Sequence, residues 1–309
     1  MKGFFVKGMV WIAVDWGTSN LRVWGIGSDG EVIAEASSDK GMGKLDRSGF
    51  EPALLELVGD WLPPERQTLA VACGMVGARQ GWIEVPYRQA PCRPVFSDVI
   101  GSPETRDPRL KVRVLAGIKQ ITPGPDVMRG EETQIAGFLS ENPQFEGTLC
   151  LPGTHTKWVR ISAGEIVDFK TFMTGELFNL LATQSVLRHS FGGAGWDKAE
   201  FTKAVVSMAS DSNGIAARLF SIRAESLVCG LEPATAKARL SGTLIGAELA
   251  GARDYWLDRK LSIVGNGPQS ETYAEALLAL GQSPDRIDAT QVTLAGLKSA
   301  YAHIAKDIA

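Results

Sequence analysis

One short pattern occurs twice in this chain and limits its fold more than any other feature. The first copy reads Val14-Asp15-Trp16-Gly17-Thr18-Ser19-Asn20-Leu21-Arg22-Val23-Trp24, and the second Cys150-Leu151-Pro152-Gly153-Thr154-His155-Thr156-Lys157-Trp158-Val159-Arg160. Each copy follows an apolar run and precedes a second strand-like run. Each then meets another turn, Ser28-Asp29-Gly30-Glu31 in the first and Ala163-Gly164-Glu165 in the second. A strand, a tight Gly-Thr hairpin and a second strand, built twice, predict two related domains facing one another. Glycine exposes backbone N–H groups and Thr or Ser adds a hydroxyl donor, so two such hairpins can grip a phosphate chain from both sides. The pattern points to a nucleotide-dependent phosphotransferase with its site between the domains.

The length of 309 residues suits two domains of about 150 residues each. Hydrophobic residues make up 44% and charged residues 22%, and the formal net charge is −3. There is no basic field for a nucleic-acid backbone, so nucleic acid is excluded as a partner. Cys73, Cys92, Cys150 and Cys229 are scattered without a C-x-x-C pair, which argues against a zinc knuckle or dithiol motif and for reduced thiols. The apolar run near the N-terminus is interrupted by Lys7, too short for a signal-peptide core, and no 18-residue apolar stretch occurs. The expectation is a cytoplasmic protein with no membrane partner, monomer or homodimer.

Strand and helix patterns alternate on both sides of a boundary at Phe145-Glu146-Gly147, giving an α/β chain with domains 1–146 and 147–309. Val10–Val14 reads as a strand buried on both faces, with Leu21–Ile26 and Glu31–Ser37 as hairpin neighbours. A helical stripe covers Phe50–Leu62, and Leu69–Ala72 is a strand running into a Gly-rich turn. Gly81–Val114, rich in Pro and Arg, reads as an insertion or substrate-facing loop region with short strands, and Val112–Ala116 as a further strand. Helices are expected at Glu131–Ser140, Leu177–Arg188, Lys198–Ala209, Gly214–Ala224, Ala234–Leu257, Gln269–Leu280 and Leu294–Ile304. Leu261–Val264 is a buried-type strand.

Asp15 ends a buried strand beside Gly17, Thr18 and Ser19. An acid there can hold a hydrated Mg²⁺ while the hairpin donates to phosphate oxygens. The second hairpin, Gly153, Thr154 and His155, carries Leu151 where the acid would stand, so only the first can anchor metal that way. Lys157 either neutralises phosphate charge or snorkels from a surface. Gly265-Asn266-Gly267 leads from a strand into a helix, a turn that suits an adenosine or phosphate contact. Gly242 and Gly246 share one helix face, which suits close packing or room for a nucleotide. Arg129-Gly130-Glu131-Glu132-Thr133-Gln134 puts two carboxylates in a first helical turn. There they either complement the helix dipole or point into the cleft as base or metal ligand. Gly74-Met75-Val76-Gly77-Ala78-Arg79-Gln80 joins a flexible turn to a guanidinium suited to a carboxylate. The match Gly25-x-Gly27-x-x-Gly30 is rejected as a dinucleotide site, because a strand and not a helix follows it.

These stretches, with Leu151-Pro152-Gly153-Thr154-His155-Thr156-Lys157-Trp158, Thr174-Gly175-Glu176-Leu177-Phe178 and Ile245-Gly246-Ala247-Glu248-Leu249, resemble the 2-dehydro-3-deoxygalactonokinase family in order along nearly the whole chain. That family consists of sugar-acid kinases in the superfamily of acetate and sugar kinases, heat-shock chaperones and actin. The resemblance implies two ribonuclease H-like domains of duplicated topology with an interdomain ATP cleft. It implies transfer of the ATP γ-phosphate, with Mg²⁺, to the 6-hydroxyl of 2-dehydro-3-deoxy-D-galactonate in galactonate catabolism. Asp15, Thr18 and Ser19 would form the first phosphate motif and Gly153, Thr154 and His155 the second, with Gly265 and Gly267 at the adenosine and Gly246 and Asn266 beside them. Asp15 is expected as metal anchor, with Glu131 and Glu132 as the leading proton acceptors. Arg79 is expected on the substrate carboxylate with Arg22 in reserve, and Gly74, Met75, Gln80 and Gln134 nearby. A kinase for the gluconate epimer and a nucleotide-gated binding protein of the actin or chaperone kind are the competing readings. A repressor-like regulator is disfavoured by the lack of a DNA-binding helix pair.

Overall fold

The computed structural model describes residues 6–94, 98–192 and 194–308. It is a mixed α/β chain that separates into two compact units. The first comprises residues 1–145, 162–168 and 289–309, and the second residues 146–161 and 169–288.

The first unit begins with a meander, β1 (Met9–Trp16), β2 (Leu21–Gly27) and β3 (Val32–Ser38). Then come α1 (Phe50–Val58), β4 (Thr68–Gly74), β5 (Arg88–Gln89), β6 (Ile100–Gly101), β7 (Leu110–Leu115), β8 (Ile118–Gln120), β9 (Asp126–Met128) and α2 (Glu131–Glu141). Its main sheet has the order β3-β2-β1-β4-β7-β6, antiparallel within the meander and parallel from β1 through β4 to β7. β5, β8 and β9 make a small separate sheet. The continuous apolar run of β1 is explained by cover on both faces. Ile12, Val14 and Trp16 pack with Phe50 and Leu54 of α1 on one side. Trp11 and Ala13, on the other, join Trp24, Ile26, Leu297, Ala300 and Ile304.

The second sheet, of which residues 162–168 fall in the first unit, repeats the strand pattern with β10 (Gly147–Leu151), β11 (Thr156–Ser162) and β12 (Glu165–Phe172). There follow α3 (Thr174–Thr183), α4 (Lys198–Ser210), α5 (Ile215–Val228), α6 (Pro233–Gly251), α7 (Arg253–Trp256), β13 (Leu261–Val264), α8 (Pro268–Ala279) and β14 (Asp285–Ile287), and the chain ends in α9 (Ala289–Ile308), which lies in the first unit. The sheet order is β12-β11-β10-β13-β14, with β13 parallel to both β10 and β14. Behind it Cys150, Trp158, Phe201, Val205, Ile245, Leu249, Tyr273 and Leu277 form a core.

Two expectations need correction. The helix expected over Ala234–Leu257 is interrupted at Ala252, where α6 ends and the single turn α7 begins. The boundary at 146/147 assigns everything after it to the C-terminal half, whereas α9 belongs to the first unit. It crosses α2 so closely that a Cβ on Gly137 would lie 1.8 Å from the Val292 carbonyl oxygen, and one on Gly296 1.9 Å from that of Thr133. The pairing of small residues lets the helix backbones touch and fixes α9 against the first sheet.

Candidate active site

In the first unit the register of β1 decides the surroundings of Asp15. Its cross-strand neighbours are Arg22 on β2 and Cys73 on β4. Arg22 forms an ion pair with the carboxylate, its Nε donating to Asp15 Oδ2 at 3.2 Å, and its Nη1 reaches Thr290 Oγ1 at 3.4 Å. Arg22 is thus committed to Asp15 rather than held ready for a substrate carboxylate. One strand end later the hairpin closes, with Gly17 N–H donating to Asn20 O at 2.9 Å, and Thr18 and Ser19 stand exposed at its tip. The hairpin is buttressed from behind, because Met42 and Gly43 donate their N–H groups to the carbonyls of Gly17 and Thr18.

β4 ends in Gly74, where the chain turns with φ +90° and a Cβ would lie 2.5 Å from Trp16 O. Gly130, at φ +111°, lies against it; a Cβ there would be 3.4 Å from the Gly74 Cα. Only glycine takes such backbone angles without strain, and their contact brings the start of α2 to the end of β4. Both acids of the first turn fold back onto the preceding amides. Glu131 Oε2 accepts from Arg129 N–H at 3.0 Å, and Glu132 Oε2 accepts from Gly130 N–H at 2.6 Å. Glu132 is 2% exposed and also accepts from Thr133 Oγ1 at 3.0 Å. Burial, with the charge of Glu131 beside it, pushes its carboxyl up to about 7, partly offset by the Gly130 amide. Burial also holds the Cys73 thiol well above its ordinary value, with Asp15 and Glu132 adding to the effect. Asp15, Cys73 and Glu132 therefore share one electrostatic locale.

The remaining residues expected around a substrate divide. Met75 lies half-buried in the turn after Gly74, while Arg79 and Gln80 are exposed beyond it. The carbonyl of Arg79 is held by Arg47 Nη2 at 3.2 Å. Gln134 points toward α9, its Nε2 donating to Thr293 Oγ1 at 3.4 Å.

In the second unit the hairpin between β10 and β11 is gripped by its neighbours. Gln269 Nε2 donates to Gly153 O at 2.9 Å, and Glu176 N–H to Thr154 O at 3.0 Å. His155 Nε2 pairs with Glu176 Oε2 at 2.5 Å. Lys157 is 5% exposed on β11, so a surface-snorkelling role is excluded. Beside the hairpin opens a cavity of about 560 Å³, large enough for a nucleoside. Thr154, Thr174, Gly175, Trp196, Lys237 and Gln269 are among its lining residues.

Gly246 is absent from that lining. It faces α4, where a Cβ would meet the Val205 carbonyl oxygen at 2.7 Å, so it serves helix packing as Gly242 does. Gly265, Asn266 and Gly267 do not line the cavity either; the wall starts at Pro268 and Gln269 immediately after them. Asn266 Nδ2 instead donates to Asp288 Oδ1 at 3.3 Å. The sequence reading missed Trp196 and Lys237, which lie in segments without a motif, and Glu248, an acid inside an apolar helix. The physical signal for Glu248, which enters the sequence reading only as part of a family-like stretch, is that mismatch: a charge on a helix face otherwise filled by Leu244, Ile245 and Leu249.

Among the described residues no group of three or more His, Cys, Asp or Glu side chains could hold a metal alone. The single carboxylate of Asp15 fits a Mg²⁺ that keeps its waters and takes its other ligands from phosphates.

An acid and a Gly-Thr hairpin at one strand end, with a second Gly-Thr hairpin on the rim of a nucleoside-sized cavity, are the chemistry of a phosphotransferase. Comparison with known proteins narrows this class. The family model for 2-keto-3-deoxy-galactonokinase matches residues 15–300, and the chain belongs to that family. A Rhizobium meliloti protein named "Probable 2-dehydro-3-deoxygalactonokinase" is 39% identical over 295 residues, covering 93% of this chain and 95% of that protein. The Escherichia coli 2-dehydro-3-deoxygalactonokinase is 32% identical over 295 residues, with coverage of 94% and 96%. A Sinorhizobium meliloti crystal structure, described as a candidate for the same kinase, superposes with a TM-score of 0.86 at 37% identity, covering 95% of this chain and 99% of that one. The activator of 2-hydroxyisocaproyl-CoA dehydratase from Clostridium difficile shares the fold at 12% identity, with a TM-score of 0.54 and 97% of each chain covered.

Proposed function

We propose that this chain is an ATP-dependent kinase that phosphorylates the 6-hydroxyl of 2-dehydro-3-deoxy-D-galactonate. Membership of the family supports the kinase activity and the sugar-acid substrate. The observation that carries the chemistry is the position of Asp15 at the end of β1, beside the Gly17–Ser19 hairpin and within the locale of Glu132. The shared pattern of a three-strand meander followed by parallel strands supports two ribonuclease H-like domains of duplicated topology.

The phosphate contacts come from the two Gly-Thr hairpins. Gly17, Thr18 and Ser19 are the donors of the first unit, and Gly153, Thr154 and His155 those of the second, with Lys157 adding positive charge. The base and ribose occupy the cavity of the second unit. Asp15 would hold the Mg²⁺ of the nucleotide, which when bound neutralises charge on the transferring phosphoryl group. Glu132 accepts the proton of the 6-hydroxyl. A carboxylate whose pKa lies near 7 is ionised often enough to act at neutral pH and basic enough to take a proton late in a loose transition state. Glu131 holds the Arg129 amide and keeps the first turn of α2 in place. With Arg22 paired to Asp15, the exposed Arg79 is the partner for the substrate carboxylate.

The test is a coupled ADP-release assay with Mg-ATP and the galactonate compound, run beside the gluconate epimer and a no-acceptor control. The product is then examined by NMR for phosphorus coupling to the protons on C6. Acceptor-dependent turnover with coupling at C6 is expected. ATP hydrolysis indifferent to the acceptor, or coupling at another carbon, would refute the reading.

A further inference from the structure

Glu248 lies on α6, 2% exposed, and is approached from three other elements. Its Oε1 accepts from Trp158 Nε1 of β11 at 2.7 Å. Its Oε2 accepts from Tyr273 Oη of α8 at 2.7 Å and from the hydroxyl of Thr174 at the start of α3. With Glu248 ionised, Tyr273 gives it its one proton, and the 2.8 Å contact between Tyr273 Oη and Thr156 Oγ1 is then donated by Thr156. Burial pushes the Glu248 carboxyl up to about 7, so these directions belong to its ionised form, while the contacts themselves tie all four side chains to it in either form.

Two of these arms end at the second hairpin. Thr156 directly follows His155 and is wholly buried. Thr174 precedes Gly175 and Glu176. A Cβ on Gly175 would lie 2.4 Å from Gly153 O, and Glu176 binds both the Thr154 carbonyl and the His155 ring. The hairpin's exit and the helix turn that clasps it are therefore both tied to Glu248, through one intervening tyrosine in the first case and directly in the second. Thr174 and Tyr273 also line the cavity. Removing a carboxylate from water is costly, and a fully satisfied buried network is a means of rigidifying one geometry.

We propose that Glu248 is the positioning residue of the nucleotide site, holding the Gly153–His155 hairpin in register with the cavity wall by anchoring Thr174 and, through Tyr273, Thr156. This rests on the reading that the hairpin binds the phosphates of ATP. Glu248 touches no reacting atom, and its effect is confined to nucleotide affinity.

Thr156→Val gives the cleanest test, because it removes one buried hydroxyl from a residue that does not line the cavity. Steady-state kinetics with both substrates, and ADP binding by calorimetry, are measured on the full chain after its denaturation midpoint is recorded. The expected result is a KM for ATP and a Kd for ADP raised about tenfold, with kcat and the KM for the sugar acid within twofold of the parent. Glu248→Leu raises both nucleotide constants at least as much. Glu248→Gln recovers most of the loss, because its amide oxygen accepts from Trp158 while its NH₂ donates to Thr174 and Tyr273, whose hydroxyls turn round. If Glu248→Leu does not fold, T156V and E248Q carry the test alone. A folded T156V with parental nucleotide constants overturns the proposal, as does a parallel rise in the sugar-acid KM. Failure of the parent protein itself to bind ADP would instead overturn the reading of the hairpin as a phosphate site.

Discussion

Glu132→Gln should make the protein more stable and slower at the same time. The carboxyl of Glu132 is raised from the ordinary 4.5 to about 7, principally by burial. The folded chain therefore holds this proton more tightly than the unfolded chain does. The stability it contributes is fully present below pH 4.5 and is lost as pH rises to 7, where the folded state must bury a charge. A displacement of about 2.5 pH units, at about 1.4 kcal/mol each, corresponds to about 3 kcal/mol lost across that window. Glutamine keeps the contacts, its oxygen accepting from Gly130 N–H and its NH₂ donating to Thr133, but it carries no charge at any pH. Urea denaturation at pH 5 and pH 8 measures the difference. E132Q should match the parent within about 1 kcal/mol at pH 5 and exceed it by about 2 to 3 kcal/mol at pH 8. Turnover should fall by about 10² to 10⁴ at pH 8, the range for losing a general base. The parent's kcat should rise through pH 7, and the residual activity of E132Q should not. Parallel pH–stability curves for the two proteins would refute the burial argument, and parental turnover in E132Q would refute the catalytic one.

Asp15→Asn should lower kcat by about a thousandfold and raise the Mg²⁺ concentration needed for half-maximal rate, measured by metal titration at fixed ATP. Arg79→Gln should raise the KM for the sugar acid about tenfold or more while leaving the KM for ATP alone, since it removes one charge-assisted contact to a carboxylate. For His155→Gln, the half-exposed pair with Glu176 predicts under about 1 kcal/mol of stability change but a several-fold rise in the KM for ATP, read by denaturation and kinetics on the same preparation. Gly137→Ala forces a methyl group into the Val292 carbonyl and should cost about 3 kcal/mol or more, visible as a drop in the urea midpoint.

The parts of this molecule that could be read from the sequence are those whose cause is local. The buried run of β1, the glycine–threonine hairpins and the first turn of α2 are set by residues within a few positions of one another. β8, β9 and β14 escaped notice because each has three residues, too few for a period to show, and exists through pairing with distant partners. The cavity wall was legible only in pieces. Its residues come from the β10–β11 hairpin, α3, α6, α8 and the loop carrying Trp196, and no spacing rule links them. Gly246 illustrates a choice that spacing leaves open: a small residue in a helix suits close packing or a ligand contact, and a Cβ there would meet the backbone of α4. Arg22 could be named but not assigned, because whether a cationic residue faces substrate or an acid across the strand depends on register.

The return of α9 to the first unit bears on how the chain is made. Apart from the short stretch 162–168, the first unit takes its residues from before residue 146 and after residue 288, with the whole of the second unit translated between them. At about 5 to 20 residues per second, synthesis of that intervening stretch lasts from several seconds to about half a minute. Throughout that interval Trp11, Ala13, Trp24 and Ile26 present an apolar sheet face whose cover, Leu297, Ala300 and Ile304, does not yet exist. The nascent first unit must therefore either wait in a partly folded state or be shielded by a chaperone. The half of the molecule made first is the last to be finished.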